Sequence, residues 1–208
     1  MGAAPEAEGG LVSIRFGEYF GIELRLHWTF LALGAWMGLM VLNQTGSLLI
    51  AAHWLITLAS IFACVALHEY GHALAARHYG IGTREITLLP IGGVAQLERL
   101  PEDPKQELWI ALAGPATNYV LAALLIVLHL LAGGQLAGLW SGGLFNGSLL
   151  ATLLQVNLIM GLFNLLPALP MDGGRVFRAL LSLRMPALRA TAIATRIARM
   201  LAAGMVVY

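Results

Sequence analysis

Residues 49–78 read LIAAHWLITLASIFACVALHEYGHALAARH, a run whose only formal charges are Glu69 and Arg77. A helix of this length is about 45 Å long, and about 20 apolar residues already cross the hydrocarbon core of a bilayer. The stretch therefore predicts a membrane-spanning helix with an ionisable group inside it. Around it the composition is of the same kind: 59% of the 208 residues are hydrophobic and 11% charged, against about 25% charged in ordinary soluble domains. So little polar surface cannot coat a soluble globule, and lipid is the expected solvent. A net charge of +1 gives no electrostatic support for a nucleic-acid partner. With Cys64 the single cysteine, no internal disulfide can form.

Three further stretches, 27–43, 107–132 and 148–166, read as spans, so four are expected. The connectors at 43–47 and 133–148 hold no charge. Every Lys and Arg falls elsewhere: Arg15 and Arg25 before the first span, Arg77, Arg84, Arg99 and Lys105 between the second and third, and six arginines from Arg175 to Arg199 after the fourth. An N-terminus in the cytoplasm puts all of them on the cytoplasmic side, as the positive-inside rule asks. Residues 174–190 carry an arginine roughly every turn and a half and read as one interfacial helix. The opening MGAAPEAEGG, small and acidic, reads as a disordered tail over 1–10, with 11–208 as one core. The closing RMLAAGMVVY is about half a span, which reads as a chain truncated at its C-terminus.

Within the second span, His68, Glu69 and His72 form H-E-x-x-H. On a helix the two histidines are one turn apart, about 6 Å, so both rings can reach one ion, and Glu69 flanks it. A zinc ion so held lowers the pKa of a bound water toward about 7, and the glutamate serves as general base. An ionised side chain in an apolar span costs about 2.5 kcal/mol or more, which argues against an accidental match. A catalytic zinc needs a third protein ligand and an open position. The chain has two aspartates. Asp103, in LPEDPKQE, reads as a solvated loop charge. Asp172, in NLLPALPMDGGR, stands just after the fourth span beside two glycines that allow close backbone packing, and is the expected third ligand. Cys64 shares the histidine face but lies about 12 Å along the axis from His72, too far for a common ion. His27, His53, His78 and His129 read as interfacial or packing side chains. A metal-transit site could use the same three ligands, but has no need of a carboxylate beside the ion.

Three motifs in order, H-E-Y-G-H at 68–72, A-G-P-A-T-N at 113–118 and N-L-L-P-A-L-P-M-D-G-G at 164–174, make the chain resemble the site-2 protease family of intramembrane zinc metalloproteases. Its Arg-rich stretch after D-G-G resembles the six-span subgroup, some members of which carry C-terminal CBS domains. The resemblance implies one zinc per chain on His68, His72 and Asp172, with Glu69 as base. It also implies that Asn164 holds the scissile peptide or its oxyanion; helix capping before Pro167 is the alternative. Asn118 and Gly114–Pro115 read as helix-packing residues rather than chemistry.

The segment EITLLPIGGVAQL at 85–97 has two short β-like runs around Pro90 and Gly92–Gly93. Non-helical backbone at membrane depth must be buried or line a cavity, and the resemblance implies a re-entrant hairpin beside the active site. The expectation is an all-α polytopic membrane protein with that short β-hairpin, in the cell membrane with N-terminus and active site toward the cytoplasm. It would hydrolyse peptide bonds in transmembrane or juxtamembrane segments of membrane proteins. Substrate would add as a strand to the hairpin, so proline at Val94 or Ala95 should block docking.

Overall fold

Apolar and polar side chains alternate along residues 13–27, and the chain pairs them as a hairpin. Strands β1 (Ser13–Tyr19) and β2 (Ile22–His27) run antiparallel. Their two-residue turn is Phe20–Gly21, both with positive φ (55° and 74°), the twist that tight hairpins favour. Helix α1 (Trp28–Thr45) follows at once. It ends at Gly46, whose left-handed φ of 65° lets its N–H reach the Leu42 carbonyl. Ser47 then caps the long α2 (Leu48–His78). A second hairpin, β3 (Thr83–Leu89) and β4 (Gly92–Leu97), leads to α3 (Pro104–Leu131). After a short 3-10 turn at Leu136–Leu139 come α4 (Leu149–Asn164), α5 (Asp172–Ser182) and α6 (Ala187–Val206). The computed structural model describes residues 13–139 and 148–206. The tail expected at 1–10 and half of the neutral connector at 133–148 lie outside those residues.

The two hairpins form one four-stranded sheet, ordered β1-β2-β3-β4, in which β2 and β3 are parallel. The all-α expectation is corrected here. The hairpin at 85–97 is present as β3 and β4, but it is half of a sheet whose other half, residues 13–27, the sequence reading passed over. Ile22, Leu24, Ile86 and Leu88 pack on Ala66, Tyr70 and Ala73 of α2. The sheet thus clamps the turns of α2 that carry His68 and His72.

Helix α3 packs against α2, α4 and α5, and α1 against α2. Of the four expected spans, α2 and α3 are long and apolar enough to cross a membrane. Only 22% and 33% of the residues in their most apolar stretches are buried, so both present wide apolar faces outward. Helix α1 has 18 residues, and the shorter, mostly apolar α4 has 16. The single interfacial helix expected at 174–190 is corrected to two. Pro186 disfavours helical backbone at the residue before it, and α5 and α6 divide there. The apolar end of the chain up to Val206 belongs to α6.

Candidate metal centre and active site

His68 and His72 lie one turn apart on α2, their rings nearly perpendicular (87°) with centroids 4.7 Å apart. The bend between α4 and α5 brings Asp172 to them across 100 residues of sequence. Its Oδ2 is 3.2 Å from His68 Nε2 and 3.1 Å from His72 Nε2. The three residues are buried, and their ligand atoms all lie within 4.8 Å of one another. Burial pushes the Asp172 carboxyl up, but hydrogen bonding and charge from His68 and His72 outweigh it and hold the group below the usual carboxylate range.

The backbone around Asp172 explains the D-G-G sequence. A Cβ on Gly173 would stand 2.2 Å from the Leu165 carbonyl oxygen, and one on Gly174 2.5 Å from the Leu169 nitrogen. Both glycines let the start of α5 press against the preceding loop. Asp172 itself opens α5, where the helix dipole favours a carboxylate. Farther along, Arg178 Nε donates to Glu107 Oε1 at 2.9 Å, and its Nη2 reaches the same oxygen. Glu107 is buried in the first turn of α3. This ion pair fastens the helix carrying the third ligand to the helix behind the histidines.

Each imidazole is held from behind. His72 Nδ1–H donates to the Ile110 carbonyl at 2.7 Å, which leaves Nε2 facing Asp172. Asn118 Nδ2 lies 3.2 Å from His68 Nδ1, and its Oδ1 is buried with no hydrogen-bond partner. The amide orientation in which Oδ1 accepts from Nδ1–H satisfies both groups and frees His68 Nε2 for a metal. Gly114 supplies the space: a Cβ there would fall 2.2 Å from His72 Nε2 and 2.7 Å from His68 Cε1. Two imidazole nitrogens, one carboxylate oxygen, oriented rings and a cavity on the remaining side make a donor set that fits catalytic zinc.

That cavity, of about 790 Å³, is bounded by α2, β4, the end of α4 and the start of α5. Glu69 lines it beside His68, His72 and Asp172, on the same wall as Gly92 to Ala95 of β4. A Cβ on Gly93 would press to 2.5 Å from Glu69 Cγ, so glycine there lets the carboxylate lie against the strand. Asn164 also lines the cavity. It is the last residue of α4, and the helix closes through backbone groups, with the Leu165 N–H on the Leu162 and Phe163 carbonyls.

The other candidates fall away from the centre. Asp103 caps α3, accepting from the Lys105 N–H at 2.9 Å, rather than standing as a free loop charge. Cys64 is buried against Asn157 Nδ2 at 3.2 Å. His27 caps α1, and His129 Nε2 lies 3.1 Å from the Gln135 carbonyl. Reading by sequence missed the placement of Asn118 against His68, the Glu107–Arg178 pair, and Arg175 on the cavity wall. The one advance signal was the polar Asn118 in an otherwise apolar span.

Comparison with known proteins places this arrangement in a family. Residues 56–140 and 145–205 match the model of Peptidase family M50, and the chain belongs to that family. Zinc metalloprotease MJ0392 of Methanocaldococcus jannaschii is 37% identical over 197 residues, 94% of this chain and 53% of that protein. Stage IV sporulation protein FB of Bacillus subtilis is 29% identical over 130 residues, 62% of this chain and 41% of that one. Among solved structures, the Site-2 Protease from Methanocaldococcus jannaschii aligns with a TM-score of 0.63 at 37% identity, over 93% of this chain and 82% of that chain. The chain spans about half the length of the first of these relatives. The resemblance carried by the three motifs therefore holds at the level of the family.

Proposed function

We propose that this protein is a zinc-dependent endopeptidase that hydrolyses peptide bonds in transmembrane or juxtamembrane segments of other membrane proteins. The observation that carries this reading is the convergence of His68, His72 and Asp172 beside Glu69 at the wall of a cavity edged by a β-strand. Zinc held by these three residues would polarise the scissile carbonyl and acidify a water. Glu69 takes a proton from that water and passes it to the leaving nitrogen. Asn164, which lines the cavity, would donate to the carbonyl oxygen.

Membrane depth follows from the helix. The end of α2 at His78 is six positions beyond His72, so the centre lies about 9 Å from that end. Arg77, Arg84, Arg99 and Lys105 cluster around the same end of the sequence. We read α1 to α4 as a multi-pass arrangement in the cell membrane, with N-terminus and site toward the cytoplasm. Residues 11–208 make one catalytic core, and the Arg-rich stretch after Asp172 relates it to the six-span, CBS-bearing subgroup.

Purified protein is expected to contain one zinc per chain and to cleave a model membrane substrate in a way that chelator abolishes and added zinc restores. Undiminished cleavage by metal-free protein would sink the reading.

The substrate must be presented as a strand, since helical carbonyls are already hydrogen-bonded. Strand β4 is an edge of the sheet, and its residues Gly92 to Ala95 line the cavity. In an antiparallel pair, successive residues turn their backbone groups alternately toward and away from the partner strand. We take Gly93 and Ala95 as the residues that offer the free edge, with Val94, opposite Thr87, facing β3. A substrate strand added there would lie across the catalytic centre. Ala95→Pro should therefore cut cleavage strongly with zinc unchanged, whereas Val94→Ile should be mild. Full activity of Ala95→Pro at normal zinc content would remove this docking mode.

A further inference from the structure

We propose that Arg175 is a further catalytic group of this cavity, holding the carbonyl oxygen of the bond being cut and then the new carboxylate of the product. The proposal rests on the peptidase reading above. Helix α5 carries two arginines three residues apart. Arg178 is committed to buried Glu107. Arg175 instead lines the catalytic cavity with Glu69 and Asp172. Its nearest acidic atom is Asp172 Oδ1 at 3.9 Å, beyond hydrogen-bonding distance, and Asp172 Oδ2 is turned toward the two histidines. Its side chain is 26% exposed, in a cavity whose other walls include Ile61, Phe62, Val65 and Met160. Asp172 and Glu69 offset part of the cost of burying its charge, and its forked N–H donors have no side-chain hydrogen bond among the described residues.

The reaction makes an anion for those donors. Addition of water to the carbonyl carbon puts negative charge on its oxygen. When the C–N bond breaks, one proton passes through Glu69 to the leaving nitrogen. The second passes from the nascent carboxylic acid to the freed amine, and the acyl fragment is left as a carboxylate. Both anions are oxygen-borne and occupy the same place. The forked donors of arginine match a carboxylate, whereas the neutral amide of Asn164 cannot favour one by charge.

Two product-length peptides, identical except for a free C-terminal carboxylate or a carboxamide, would be titrated against the full chain by a direct binding assay. Wild type should bind the carboxylate about 10–100-fold more tightly, the size of one charge-assisted hydrogen bond. Arg175→Gln should lose that preference and about 10²-fold in kcat while retaining zinc. Arg175→Lys should recover part of both. Equal binding of the two peptides by wild type, an undiminished preference in Arg175→Gln, or loss of zinc from that variant would overturn the proposal. A carboxylate preference that depends on Arg175 in a protein that cleaves nothing would instead sink the peptidase reading and leave the anion site standing.

Discussion

Glu69→Gln is expected to stop cleavage while zinc stays at one per chain. The substitution removes the base and no ligand, and losing a positioned base costs about 10²–10⁴ in rate. It is nearly silent structurally, because glutamine fills the same space against Gly93. Turnover within tenfold of wild type, measured on a membrane substrate alongside metal content, would count against Glu69 as the base. Loss of zinc would mean that Glu69 is itself a ligand.

Asp172→Ala should lose both zinc and cleavage. Two imidazoles would remain, and removing a direct ligand is expected to weaken metal binding by more than the about 10–100-fold that an outer-shell partner costs. The informative control is Asp103→Ala. Asp103 caps α3 and lies outside the ligand cluster, so its loss should cost about 1 kcal/mol of stability and leave zinc and turnover unchanged. Thermal unfolding, metal analysis and cleavage of both variants separate the two aspartates. Full zinc occupancy in Asp172→Ala would show that another residue is the third ligand.

The centre was legible because its parts are expensive where they stand. A carboxylate and two histidines inside an apolar run have no cheap explanation, and helical spacing alone aims them at one point. Asp172 could be singled out because Asp103 already had the look of a polar loop residue. The hairpin at 85–97 was legible from its Pro and Gly punctuation. The first hairpin had a signal too, the alternation Ile22, Leu24, Leu26 against Glu23 and Arg25, but its turn is Phe20–Gly21, without the Asn or Asp that usually marks one. Asn118, Arg175 and the Glu107–Arg178 pair were legible only as residue types. Their roles come from α3 and α5 lying behind and beside the histidines, contacts that no local pattern encodes.

The parallel pairing of β2 with β3 sets an order of assembly. Helices α1 and α2 lie between those strands in sequence, so the sheet cannot close until both helices have been placed. Asp172 comes 100 residues after His72, beyond α3 and α4. Pairings so distant form late, because the intervening chain must be ordered first. A chain whose synthesis has not reached Asp172 thus holds His68 and His72 without the carboxylate that completes the cluster. On the proposed reading, the centre stays incomplete until synthesis has passed Asp172.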